Sequence, residues 1–198
     1  MKVNEKTRLV GKNVILVPYT ATHVQKYHEW MKSPELQHFT ASEPLTLEQE
    51  YAMQKSWFED EDKCTFIILD KSRYDKTHSE IDAMIGDTNL FFNNSDERRT
   101  AEAEIMIADE KSREKRMGWE AMILMLRYGF EKLKVNKYQV KISMDNEKSL
   151  RMFSKLKFHE VERSLVFQEI TFTKDCEEDW IKWLVSETAD AIRDENYE

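Results

Sequence analysis

Arg113-Glu114-Lys115-Arg116-Met117-Gly118 and, further on, Asn146-Glu147-Lys148-Ser149-Leu150-Arg151-Met152-Phe153-Ser154-Lys155-Leu156-Lys157-Phe158 are the stretches whose reading decides the fold. The first lies between a strand-like run, Ala101–Ala108, and an apolar stretch, Met117–Leu133, in which Glu120, Arg127 and Glu131 share one polar stripe. That stretch has the period of a helix packed on a sheet. A loop leading into a helix N-terminus presents free backbone N–H groups and the positive end of the helix dipole, which suits a phosphate. Lys111, Arg113, Lys115 and Arg116 gather positive charge there, in a chain of net charge −8. Three acids in the same stretch fit a merely solvated turn, and charge alone favours that reading.

Working outward, Lys12–Val17 reads as a strand ended by Pro18. Thr22-His23-Val24-Gln25 has the form of a capping box opening a helix to about Ser33, before Pro34. Thr46-Leu47-Glu48-Gln49 repeats the signal and starts a helix towards Phe58. Cys64–Leu69, Ala83–Phe92 and Ala101–Ala108 read as strands, Lys71–Glu80 as an exposed polar turn, and Asn93–Asp96 as a turn. Tyr138–Ser143 is a strand, Asn146 to Leu156 a helix, and Phe158–Phe172 two more strands. Trp180, Trp183 and Leu184 mark an amphipathic C-terminal helix, and Arg193–Glu198 read as frayed. This order predicts one mixed α/β domain over residues 1–198, its motif core at about 81–173, with a parallel βαβ crossover in the second half.

Composition narrows the function. With 40% hydrophobic and 34% charged residues, four glycines and three prolines, the chain is globular rather than low in complexity. An acidic chain is poorly suited to nucleic acid or to an anionic membrane surface, and no apolar run approaches the length of a membrane span. Met1–Lys6 lacks the apolar region of a signal peptide. Cys64 and Cys176 are isolated thiols, suggesting a reducing compartment and no zinc site; the five histidines show no metal-ligand pairing. The expected location is the cytoplasm.

Taken together and in order, the two motifs resemble those of the GNAT superfamily of acyl-CoA N-acyltransferases. The first resembles its acetyl-CoA signature, Q/R-x-x-G-x-G/A: Arg113 and Gly118 match, and Arg116 stands where the first glycine is usual. The second resembles N-x-x-S-x-x-x-[YF]-x-K-L-G-F at every marked position except Lys157, where glycine is usual. Arg8-Leu9-Val10-Gly11, Ile85-Gly86-Asp87-Thr88-Asn89-Leu90-Phe91 and Val166-Phe167-Gln168-Glu169 resemble the eukaryotic N-acetyltransferase 9-like branch. The resemblance implies a mixed, mostly antiparallel sheet with helices on both faces and a central splayed strand. It implies an acetyl-CoA-dependent enzyme acetylating protein N-termini, with α- and β-tubulin as substrates and microtubule stability as the outcome.

By the same resemblance, the pantetheine arm pairs with backbone around Met106, Ile107 and Ala108. The pyrophosphate rests on Arg113, Glu114, Lys115, Arg116, Met117 and Gly118, and Gly118 lets the backbone approach it. Asn146 bonds the pantetheine amides, while Ser149 and Phe153 face the thiol and adenine side. Asn146 also reads as an ordinary helix N-cap. Many relatives that acetylate N-termini carry Glu and Tyr where this chain has Lys141 and Phe153, so the usual base and acid are absent. Glu104 and Glu102, sharing one face of the strand into the site, are the candidate bases. Asp87 and Asn89 on the neighbouring strand are candidates for positioning the acceptor.

Two other readings stand beside this one. The four departures fit a catalytically weak protein of this fold that binds a partner such as the microtubule, with Lys71, Arg73 and Lys76 as a loop patch for it. An acidic region at Glu48–Asp62 fits a small polyamine-like acceptor.

Overall fold

The computed structural model describes residues 2–92, 99–113 and 115–197, so Glu114 and the turn read at Asn93–Asp96 lie outside the described residues. The first half holds β1 (Arg8–Val10), β2 (Val14–Pro18), α1 (Val24–Trp30), α2 (Pro34–Phe39), α3 (Leu47–Glu59), β3 (Lys63–Asp70), α4 (Lys71–Thr77), α5 (Glu80–Ala83) and β4 (Met84–Phe92). The second holds β5 (Thr100–Ile107), α6 (Met117–Glu131), β6 (Lys137–Ser143), α7 (Glu147–Lys155), β7 (His159–Ser164), β8 (Glu169–Asp175), α8 (Glu178–Glu187) and β9 (Ile192–Asp194).

These strands make one sheet in the order β7-β8-β6-β5-β4-β3-β2-β1-β9. Every pairing is antiparallel except β5 with β6, which the α6 crossover makes parallel. That pair is short, running only from Thr100↔Lys137 to Glu102↔Gln139. Beyond Glu102 the strands diverge and open a slot in the sheet. The central splayed strand expected from the resemblance is β5.

Helices cover both faces, so the central strands are buried almost end to end. On one face α6, α7 and α8 pack Met122, Met125, Leu156 and Trp180 over Phe66, Leu90 and Tyr138. On the other α1, α2 and α3 bring Tyr27, Leu36 and Trp57 over Ile67, Leu69 and Met106. The polar stripe of α6 is tied down rather than solvated. Glu120 accepts from the Asn13 backbone N–H at 2.9 Å and its side-chain amide at 2.7 Å, and Arg127 donates to the Thr188 carbonyl at 2.8 Å.

Four local readings are corrected. The capping box lies two residues earlier than Thr22: Thr20 donates its backbone N–H to His23 Nδ1 at 3.1 Å, the imidazole taking the place of a Glu or Gln side chain. Pro34 opens helix α2 rather than ending α1, because proline suits the first helical position and Ser33 caps it, accepting from the Leu36 N–H at 3.4 Å. Lys71–Glu80 is mostly helix: Asp70, the last residue of β3, caps the N–H groups of Ser72 and Arg73 at 2.9 and 3.2 Å. Residues 192–194 are paired, not frayed. β9 adds to β1, with Arg8 to Asp194 at 3.0 Å and Arg193 to Glu131 at 2.9 Å. Strands of three residues carry no periodicity to read, which is why β1 and β9 were invisible.

Candidate active site

The slot opens into a groove of about 970 Å³. Ile105, Met106 and Ile107 form its floor, the start of α6 one end, α2 one wall, and Asp145 with the first turns of α7 the other. Of the expected cofactor residues, Met106, Ile107, Arg113, Arg116, Gly118, Asn146 and Ser149 line it. Among the described residues, Ala108, Lys115, Met117 and Phe153 stand outside the lining. Phe153 is 3% exposed and packs edge-on against Phe158, ring centres 5.1 Å apart, so it faces the core and not the groove. Met117 packs towards the same core.

Antiparallel pairing decides which backbone groups face the slot. Ala108 donates its N–H to the Ile85 carbonyl at 2.8 Å, so Ala108 and, two residues apart, Met106 and Glu104 spend their ladder groups on β4. Ile105 and Ile107 therefore turn theirs towards the slot, a correction to the Met106 and Ala108 expected. The Ile107 carbonyl already accepts from Arg113 Nε at 3.0 Å.

At the start of α6, Arg116 takes the left-handed conformation, φ 62°, which favours glycine. Lys157, the other residue standing at a usual glycine, does the same at φ 67°. It closes α7 in a Schellman arrangement, with Phe158 N–H to the Phe153 carbonyl at 3.1 Å and Lys157 N–H to Ser154 at 3.0 Å. Both departures thus keep the backbone path and add a cation to it. Arg116 leads into the unpaired N–H groups that begin any helix, here those of Met117, Gly118 and Trp119. Gly118 has a different reason than the one read: a Cβ there would lie 3.2 Å from Ile107 Cγ1, so glycine lets α6 lie close on β5.

Arg113 is held by α2, its Nη1 lying 3.2 and 3.0 Å from the two carboxylate oxygens of Glu35. Asn146 is indeed an N-cap, accepting from the Ser149 N–H at 3.1 Å, which leaves its amide N–H groups for the groove. The α2 wall, with Glu35, Phe39 and Thr40, was missed; Ser33-Pro34, a cap followed by an N1 proline, was the signal.

Glu102 and Glu104 share the α1–α3 face of β5 as expected, but their surroundings differ. Glu102 is paired with Lys141 at 2.9 Å, and that carboxylate raises the Lys141 ammonium further, which excludes Lys141 as a base. Glu104 is exposed and stands opposite Asn89 of β4. Asp87, opposite Met106, is 4% exposed; burial, and next the Glu104 charge, push its carboxyl up to about 7. Of the Lys71, Arg73 and Lys76 patch, Lys71 pairs with Asp75 at 2.7 Å and Arg73 with Asp109 at 2.6 Å, so two of its cations serve internal pairs.

Both thiols are free; burial first raises each to about 12, keeping them protonated and unsuited to nucleophilic attack. Among the described residues no cluster of His, Cys, Asp or Glu could hold a metal ion, and no helix is long and apolar enough to cross a membrane.

Comparison with known proteins bears on this geometry. Residues 13–159 match the family described as the acetyltransferase (GNAT) domain. The chain is 53% identical, over 88% of its length and 89% of the other's, to an N-acetyltransferase 9-like protein of Nematostella vectensis. It is 50% identical to the alpha/beta-tubulin-N-acetyltransferase 9 of Homo sapiens, over 96% of this chain and 93% of that one. Among solved structures, a spermidine N-acetyltransferase of Vibrio cholerae in complex with CoA and spermine aligns at a TM-score of 0.71 and 16% identity, covering 82% of this chain and 95% of that one.

Proposed function

The chain belongs to the GNAT acetyltransferases, and from that premise we propose that it transfers acetyl from acetyl-CoA to the N-terminal amine of a protein, α- or β-tubulin, in the cytoplasm, with microtubule stability as the consequence. The observation that carries the cofactor half is one continuous groove, from the α6 N-terminus to the slot beside β5. The acceptor half rests on half-identical relatives named for tubulin.

The residues fit the task in sequence. N–H groups of Met117 to Trp119, with Arg113 and Arg116 beside them, hold a pyrophosphate. Backbone groups of Ile105 and Ile107 pair with the pantetheine arm, and the Asn146 amide meets it from the opposite wall. Acetyl-CoA supplies the activated acyl group, a thioester whose thiolate is a fair leaving group. An N–H in the slot stabilises the carbonyl oxygen as it gains charge. Glu104, exposed beside the slot, takes the proton of the incoming amine, while Glu102 is occupied by Lys141.

Calorimetry with acetyl-CoA, followed by CoA release with a tubulin N-terminal peptide, tests this reading. Saturable binding with peptide-dependent release is expected. Binding with no release from the peptide would reject the acceptor, and no binding would reject the cofactor assignment.

A further inference from the structure

Seven buried side-chain nitrogen or oxygen atoms lack a hydrogen-bond partner among the described residues, and six of them gather on the α1–α3 face of the sheet. They are Tyr19 Oη, His28 Nδ1, Glu50 Oε2, Thr65 Oγ1, Asp87 Oδ1 and Asn89 Oδ1. A buried polar atom left unpaired is destabilising, more so for a charged group, so six together are not incidental.

Strand register brings Thr65, Asp87 and Asn89 together on neighbouring strands. Thr65 of β3 stands opposite Asn89 of β4, and Asn89 opposite Glu104 of β5. The Asn89 side chain hydrogen-bonds the Asp87 carboxylate, yet each keeps Oδ1 free. From above, α1 lowers Tyr27 and His28 and α3 lowers Glu50, whose carboxylate lies 3.8 Å from His28. Burial first, and then the charges of Asp87, Tyr19, Glu50 and Glu104, raise the Tyr27 phenol, and the Tyr19 ring centre lies 5.2 Å from that of Tyr27. The charges that act on Asp87 are Glu104 of β5 and Lys63 of β3, while Asp87 and Glu50 of α3 both act on Tyr27 and Tyr19. Asp87 and Glu50 are each buried to more than nine-tenths. Free acceptor oxygens predominate, and the tyrosine rings add faces that favour a cation. The cluster adjoins the slot: Asp87 is opposite Met106, which is part of the groove floor, and exposed Glu104 links it to solvent.

We propose that Asp87, Asn89 and Glu50 are the positioning residues that receive the acceptor as a primary ammonium, docking it on their unpaired oxygens one strand away from the slot. This rests on the transferase reading above. A docked R–NH3⁺ adds to the stabilisation that Asp87 already receives from Lys63 and Glu50 from His28, which is the source of its affinity. One N–H proton passes to the Glu104 carboxylate and on to solvent, leaving a lone pair on nitrogen. That pair forms the C–N bond to the acetyl carbon as the C–S bond breaks; sulfur leaves as thiolate and takes the second amine proton. Amine and thioester become amide and thiol with no redox step.

The test compares wild type with Asp87→Asn and Glu50→Gln, both isosteric, using the peptide α-amine and spermine as alternative primary ammonium sources. Expected for Asp87→Asn is a KM for the amine raised at least tenfold, an acetyl-CoA Kd unchanged by calorimetry, and loss of the acid limb of kcat/KM. Glu50→Gln should shift KM in the same direction by a smaller factor. Whichever amine turns over should show this pattern, identifying the source. Unchanged KM and pH profile in both variants, with wild type active, would overturn the ammonium site while leaving the transferase intact. To separate the two failures, carboxyl carbon NMR of Asp87 is followed on adding peptide without acetyl-CoA. A shift with the free N-terminus and none with its acetylated form supports docking; equal responses reject it.

Discussion

Arg116 and Lys157 occupy the backbone conformation of a glycine without being one, and their side chains separate strain from function. A non-glycine residue at such a φ costs about 1 kcal/mol. Arg116→Gly should therefore raise stability by up to about 1 kcal/mol, yet weaken acetyl-CoA binding, since its cation lines the groove. Lys157→Gly lies at the far end of α7, outside the groove lining, and should give a similar gain with unchanged affinity. Urea unfolding and calorimetry on the two variants measure both effects. A loss of stability in Lys157→Gly would mean that its side chain contributes more than the strain removes. The sequence made both positions conspicuous by the missing glycine, but the sign of φ belongs to the folded chain.

At the scale of elements, α2 is what the sequence reading lacked, and it is the element that holds Arg113. Glu35 engages the guanidinium on both oxygens, so a phosphate bound at Arg113 would share or displace that contact. The pair is partly exposed, which makes it worth only about 0–1 kcal/mol. Glu35→Gln should tighten acetyl-CoA binding by a few-fold. Arg113→Gln should weaken it by roughly tenfold and flatten its dependence on salt, because one phosphate-binding cation is gone. Titrations at two salt concentrations distinguish these outcomes, and an unchanged salt slope in Arg113→Gln would remove Arg113 from the phosphate site. Six residues are too few for helical periodicity to stand out, so only the cap and the N1 proline could have announced α2.

Across the whole molecule, the buried carboxylates on the α1–α3 face work against stability. Asp87 titrates near 7 when folded against a reference of 3.8, and burial raises Glu50 as well. Such a group binds protons more readily in the folded state, so its contribution is greatest below the unfolded value and falls as pH rises through the folded one. Wild type should lose stability on the order of a few kcal/mol between about pH 4 and pH 7 from this source, and Asp87→Asn should lose markedly less. Unfolding midpoints at pH 5 and pH 8 check it; parallel changes in the two proteins would count against burial of the Asp87 carboxyl as the source. Sequence alone determined the order of the long elements, the crossover through α6 and the two GNAT-like motifs, because local periodicity and capping chemistry act between near neighbours in the chain. Tertiary structure decided the rest. The splay of β5 from β6, the choice of Ile105 and Ile107 as slot-facing groups, the pairing of Glu102 with Lys141, and the gathering of Asp87, Asn89 and Glu50 under α1 and α3 all depend on register and packing between segments distant in sequence. No local pattern encodes them, since the same carboxylate is a solvated strand residue or a buried charge according to what the fold lays over it.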